Sequence, residues 1–106
     1  MPKGILVVSS GPASADRDAE YNDWYNDTHI PDVLALAGFT SARRFKKVGG
    51  AADDKVPYLA FYEVEGDDLA AIVAGLGAGV ASGDVRMTDA ITVDPSAPMT
   101  LYELIG

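Results

Sequence analysis

Residues 21–34, Tyr21-Asn22-Asp23-Trp24-Tyr25-Asn26-Asp27-Thr28-His29-Ile30-Pro31-Asp32-Val33-Leu34, decide the reading of this chain. They hold its single Trp, its single His and two of its five Tyr. At helical period Tyr21, Trp24, Tyr25, Thr28 and His29 fall at i, i+3, i+4, i+7 and i+8 and share one stripe, while Asn22, Asp23, Asn26 and Asp27 fall opposite. One helix face therefore carries aromatic rings and an imidazole together. Pro31 disfavours helical geometry at Ile30 and has no N–H for the ladder, so the helix is expected to break close to His29, with Pro31 opening a second short turn.

Upstream, residues 3–10 form a β-branched, apolar run closed by Gly11-Pro12, the pattern of a buried strand. Asp16 is expected to cap the helix over residues 17–28, with Asp18 and Glu20 placing negative charge in its first turn, where the helix dipole favours it. Downstream, the turn over residues 31–37 ends at Gly38, suited to the left-handed conformation that closes helices, and Phe39 follows as an apolar anchor. Residues 39–48 and 58–64 read as two strands of a hairpin joined by a Gly-, Ala- and Asp-rich turn. Gly66-Asp67-Asp68 then caps a second helix whose Leu69, Ile72, Val73, Leu76 and Val80 recur on one face. Residues 83–98 are expected to be irregular apart from a short extended piece over 90–93, and residues 99–105 to close as strand four. The order β-α-β-β-α-β is that of a ferredoxin-like α+β fold, one domain over residues 1–106.

Composition excludes much. Cysteine is absent, which removes disulfides, thiolate metal sites and thiol nucleophiles, and one His leaves any metal site to carboxylates; no metal and no cofactor are expected. Sixteen acidic against eight basic residues give a formal charge of −8, which repels phosphate backbones and anionic membranes, so neither nucleic acid nor membrane is an expected partner. The local cluster Arg43, Arg44, Lys46 and Lys47 reads as a solvated strand edge. The apolar run Ile5-Leu6-Val7-Val8 is too short for a signal-peptide core or a membrane span, and a soluble, cytoplasmic protein is expected.

Strand three has Tyr58, Ala60 and Tyr62 on one side and Leu59 and Phe61 on the other, so both faces call for cover. Two helices can cover only one face of a four-stranded sheet. A homodimer packed sheet to sheet is the expected remedy.

The segment Trp24-Tyr25-Asn26, His29, Pro31-Asp32 and Gly38-Phe39, supported by Tyr58-Leu59-Ala60-Phe61-Tyr62-Glu63, resembles the EthD-like and REDY-like branches of the dimeric α+β barrel superfamily. One departure is Ala37, where the family often has Pro. The resemblance implies a dimeric α+β barrel with a pocket between helices and sheet for a small hydrophobic or aromatic molecule. It does not select a reaction, since the superfamily spans cofactor-free monooxygenases, isomerases, cyclases, aldoxime dehydratases and haem proteins.

Within that frame His29 is the candidate acid-base group, or alternatively a structural His at a helix break, and Tyr25 the candidate donor that orients a phenol or carbonyl. Tyr21, Trp24, Asn26, Arg44 and Tyr62 complete the candidate ligand set, with Trp24 mainly packing and Asn26 able to bridge the helix break instead. On strand two Arg43 shares a face with Phe39, Ser41 and Phe45, and Arg44 with Thr40 and Ala42; one guanidinium should look inward, and Arg44 is favoured by similarity to the family's basic-aromatic pair. Gly75-Leu76-Gly77-Ala78-Gly79 lacks the third glycine of a dinucleotide loop and lies within a helical pattern, so close helix packing accounts for it. Three functions follow: a cofactor-free enzyme acting on an aromatic or polyketide-like compound, of isomerase, cyclase, lyase or monooxygenase type; a non-catalytic binder of a pathway intermediate; and a haem protein, for which His29 is the sole imidazole.

Overall fold

The computed structural model describes residues 1–93, 96 and 99–106. Its centre is strand β1 (Lys3–Pro12), in which Gly4, Leu6, Val8 and Ser10 are buried while Lys3, Ile5, Val7 and Ser9 are not. This period of two follows from the pleat and gives the sheet a covered and an open face. Strand β3 (Tyr58–Glu65) runs antiparallel to β1 on one side, and β2 (Phe39–Lys46) runs antiparallel to β3 beyond it, forming the expected hairpin. On the other side β1 is paired in two halves, by β4 (Ile91–Val93) at its end and by β5 (Thr100–Glu103) at its start.

The sheet thus has five strands, not four: the short extended piece expected near residue 90 is a true strand, and the closing strand is the fifth. The register explains the split. Ser10 to Pro12 face β4 and Gly4 to Val7 face β5, so one long strand carries two short partners in tandem. Val85 and Ala90, within the connection expected to be irregular, are fully buried; residues 94, 95, 97 and 98 of that connection lie outside the described residues.

Two helical layers cover the side of Leu6, Val8, Ala60, Tyr62 and Val64. The first comprises α1 (Asp18–Trp24), a π-helical turn over Tyr25–His29, and α2 (Ile30–Leu34). The expected break before Pro31 does not occur, because Ile30 keeps φ −58° and ψ −50° and its N–H reaches the Tyr25 carbonyl, an i to i−5 bond. Widening the turn absorbs the proline in place of breaking the helix. Asp16 is likewise not a cap; it lies inside a 3₁₀ turn over Ala15–Arg17 that leads into α1. The second layer is α3 (Leu69–Ser82), capped at its start by the Asp68 carboxylate on the Ala71 N–H at 3.1 Å and closed by left-handed Gly83. Gly38 adopts φ +88° as expected, and a Cβ there would meet the Ile72 side chain at 2.6 Å.

A β-bulge between Phe39 and Ser41 revises the faces of β2. Phe39 is buried on the helix side together with half-buried Ala42 and Arg44, whereas Arg43 and Phe45 lie exposed on the open side. The open face carries Ile5, Val7, Leu59 and Phe61, with the ring of Phe45 tilted against that of Phe61 at 5.1 Å. No helix of the described residues is long and apolar enough to cross a membrane.

Candidate functional site

The π turn determines which side chains meet. Each i to i+4 step in an α-helix overshoots a full turn by about 40°, and a widened turn takes that drift back. Tyr21, Tyr25 and His29 consequently all point at the sheet and are buried. Tyr21 packs edge to face on Tyr25 at 5.7 Å, Tyr25 edge to face on His29 at 5.0 Å, and the imidazole lies stacked on the Trp24 indole at 4.6 Å. From the sheet, Tyr62 meets this array: its hydroxyl and that of Tyr25 share a hydrogen bond of 2.7 Å. The Tyr21 hydroxyl is paired in the same way with Ser10 Oγ at 2.6 Å.

Arg44 enters from β2 beneath the helix. Ala60 stands opposite it across the ladder and Ala42 precedes it on the same face, and two small side chains leave room for a guanidinium. Its Cζ lies 4.3 Å from the Tyr25 ring centroid, 5.3 Å from that of Tyr21 and 5.4 Å from that of Tyr58, within cation–π reach of all three. Nη1 donates to Asn26 Oδ1 at 3.0 Å and Nη2 to Asn22 Oδ1 at 2.8 Å. Both acceptors are neutral, and among the described residues no carboxylate pairs with this cation.

Every candidate residue, His29, Tyr25, Tyr21, Trp24, Asn26, Arg44 and Tyr62, therefore belongs to one cluster. Sequence reasoning missed Asn22, Asp18, Tyr58 and Ser10. Asn22 donates to the Asp18 carbonyl and to the Tyr58 hydroxyl, which donates in turn to Asp18 Oδ1 at 2.8 Å. The signal is present: Asp18, Asn22 and Asn26 recur every four residues as a polar stripe bordering the aromatic one, although ideal helical period sets Asn22 and Asn26 opposite the rings and gives Asp18 only the part of a first-turn charge.

Burial holds the phenols protonated. Desolvation pushes Tyr25 up to about 12 and Tyr62 further up, so the pair can donate but not ionise near neutrality. Two hydroxyls sharing one bond leave one proton free for another acceptor. Burial lowers the His29 pKa to about 4, against an upward pull from Asp32 and a further downward push from Arg44, so the imidazole is neutral at pH 7. Asp32 itself is held by Arg86 through two charged hydrogen bonds of 3.0 Å and sits at about 2. Among the described residues three buried side-chain polar atoms make no hydrogen bond: Trp24 Nε1, His29 Nδ1 and Arg44 Nε. All three lie in this cluster. No group of three or more His, Asp or Glu among the described residues is placed to hold a metal ion.

The family described as a domain of unknown function, DUF4286, matches residues 13–71, more than half of the chain and the whole of the first helical layer with the hairpin. Among solved structures, the chain is similar to HapK from Hahella chejuensis, with TM-score 0.65 and 14% identity over 97% of this chain and 93% of that one. It is also similar to a dimeric ferredoxin-like protein from an uncultured marine organism, with TM-score 0.61 and 10% identity over 100% and 98%. A third is an EthD family protein from Bacillus halodurans, with TM-score 0.56 and 18% identity over 100% and 99%. At such identities the likeness is one of fold, and it is the ferredoxin-like α+β fold of the EthD-like proteins. No curated protein matches the chain.

Proposed function

The chain belongs to the DUF4286 family, and from that premise we propose that it binds and transforms a small aromatic or polyketide-like molecule between the first helical layer and the sheet. One observation carries this reading: the three buried polar atoms left without a partner converge on one aromatic cluster. Elsewhere among the described residues the buried side-chain polar atoms are satisfied, as stability demands, and a group of exceptions at one place fits donors and an acceptor reserved for a ligand.

The chemistry available is removal of a proton to give a delocalised anion. Neutral His29 accepts the proton, Arg44 stabilises the enolate or phenolate that forms, and the free hydroxyl proton of the Tyr25–Tyr62 pair orients the oxygen. Isomerisation, cyclisation, lyase-type cleavage and monooxygenation can all start from such an anion, and none of them draws on a bound cofactor at that step. Because the imidazole is a weak base, the substrate must be acidified by the neighbouring guanidinium. A homodimer completes the assembly, since the open face with Ile5, Val7, Leu59, Phe61 and half-exposed Phe45 presents apolar area that a second copy covers.

The test is capture of small molecules from a cell extract, identification by mass spectrometry, and assay of the captured compound with wild type and His29→Gln. Turnover that falls about a hundredfold or more in a variant of unchanged melting temperature supports the base role. Binding without turnover favours a non-catalytic carrier, a reading for which His29 Nδ1, buried without a hydrogen-bond partner among the described residues, speaks. Failure to retain any compound refutes both. Light scattering decides the dimer, with Phe61→Glu expected to give monomers.

A further inference from the structure

Two carboxamides fasten Arg44, and they are held in different ways. Asn22 is fixed from both ends: its Nδ2 donates to the Asp18 carbonyl at 2.9 Å and to the Tyr58 hydroxyl at 3.3 Å, while its Oδ1 accepts from Arg44 Nη2. Hydrogen bonding alone requires an amide there, since a carboxylate would lose both donors. Asn26 is under no such requirement. It is exposed, its Oδ1 accepts from Arg44 Nη1 at 3.0 Å, and its Nδ2 meets no partner among the described residues. An Asp in its place would make the same bond, strengthened by charge.

The sequence has acids immediately beside both amides, in Asn22-Asp23 and Asn26-Asp27, and both acids are exposed. The helix therefore gives the guanidinium its amides and gives solvent its carboxylates, twice in succession. No carboxylate oxygen among the described residues lies within 4.0 Å of an Arg44 nitrogen. Asp18 keeps its charge, but its Oδ1 accepts the Tyr58 hydroxyl and it reaches Arg44 only through Tyr58 and Asn22. The rings of Tyr25, Tyr21 and Tyr58 attract the cation without adding a countercharge, and its Nε–H stays buried without a partner. Repulsion from Asp23 and Asp27 is the competing reason for a neutral residue at 26. Between exposed side chains on a helix that repulsion is weak, and a charge-assisted bond to Arg44 outweighs it.

We propose that Asn26 is a positioning residue: it holds Arg44 in place without forming an ion pair, so that the guanidinium charge is left for the oxygen of a phenol or enol that binds as its anion. This rests on the reading of the cluster as a ligand site and deepens it, because it states the charge form in which the ligand is held. Asn22 shares the task, and its donors in addition tie the helix to Tyr58.

The probe is para-nitrophenol, which ionises near neutrality and is yellow only as its anion. Equilibrium dialysis on either side of that ionisation gives separate affinities for phenol and phenolate. Across that range His29, at about 4, and Tyr25, at about 12, each keep one protonation state, so the change in affinity reports the probe. Wild type is expected to hold the phenolate about tenfold more tightly than the phenol. Asn26→Asp keeps an acceptor for Arg44, should not lower the melting temperature, and is expected to lose most of that preference with the neutral phenol bound as before. A residue that only anchored Arg44 would be replaced by Asp without loss, so an undiminished preference overturns the proposal. An equal fall in both affinities overturns it as well, because Asn26 would then touch the probe itself. Should Asn26→Asp melt below wild type, Asn26→Ala decides: the loosened guanidinium should weaken the phenolate and not the phenol, and an unchanged preference overturns the proposal. No binding of either form by wild type also overturns it. Binding of both forms without preference does so too, while leaving the cluster as a ligand site intact; the metabolite capture described above tests that broader reading by itself.

Discussion

The two helical layers rest on the same face of the same sheet, yet they offer it different things. The first brings Tyr21, Trp24, Tyr25 and His29 with a border of Asn22 and Asn26, and it widens into a π turn where these residues crowd. The second, α3, holds no charged residue, and its one polar side chain is Ser82 at its end. Its outer positions Ala70, Ala71, Ala74, Gly77 and Ala78 are exposed. Both layers bury apolar area, but only the first leaves polar atoms unsatisfied in doing so. Such atoms reduce stability, and a layer whose task was packing alone would resemble α3. The contrast separates a site from a support built on one core.

That division can be broken by substitution. Leu76→Ala, in the buried seam of α3, should destabilise the fold by about 2–5 kcal/mol and leave ligand affinity of the folded fraction unchanged; loss of the ligand as well would show that α3 shares in the site. His29 predicts a slope in acid. Its folded pKa of about 4 lies below the unfolded value of 6.5, so the unfolded chain takes up the proton first. The stability contributed by the neutral imidazole is complete above pH 6.5 and is lost as pH falls toward 4, on the order of 3 kcal/mol in total. Chemical denaturation across that window measures it, and His29→Gln should flatten the slope. Tyr25→Phe leaves the Tyr62 hydroxyl buried without its partner and should lower stability by about 1–3 kcal/mol, much of which the double variant with Tyr62→Phe regains. The smallest effect has the opposite sign. Gly77→Ala on the open side of α3 should stabilise by about 0.5–1 kcal/mol, while Gly79→Ala should destabilise because a Cβ there meets Val85 at 2.9 Å.

The last pair also sharpens what the sequence made legible. Close packing accounts for Gly79, but a Cβ at Gly75 or Gly77 meets nothing within 4 Å, so the packing reading of the glycine run holds at one position of three. Element order, the Gly38 turn, the hairpin and the two-faced third strand could be read because each depends on local chemistry or on a period of two. The continuity of the first helix could not, since a π turn has no signature in pairwise spacing and the rule for Pro31 assumes α geometry. The bulge at Phe39/Ser41 was hidden for a related reason: one extra residue moves Phe39 to the other face, and alternation alone cannot register it. The seven candidate site residues were legible from their residue types and stripe. Their supporting atoms were not, because Asn22 and Tyr58 join the cluster through contacts made only when helix and hairpin dock.

The most direct test of the site is the indole N–H signal of Trp24, the single Trp of the chain, whose Nε1 is buried and without a partner among the described residues. Titration of the captured ligand, followed by ¹H–¹⁵N NMR, should move that signal downfield together with those of His29 and the Arg44 side chain while the amides of α3 stay in place. An unmoved Trp24 indole in the presence of saturating ligand, with shifts confined to α3 or to the open face of the sheet, would contradict the placement of the site.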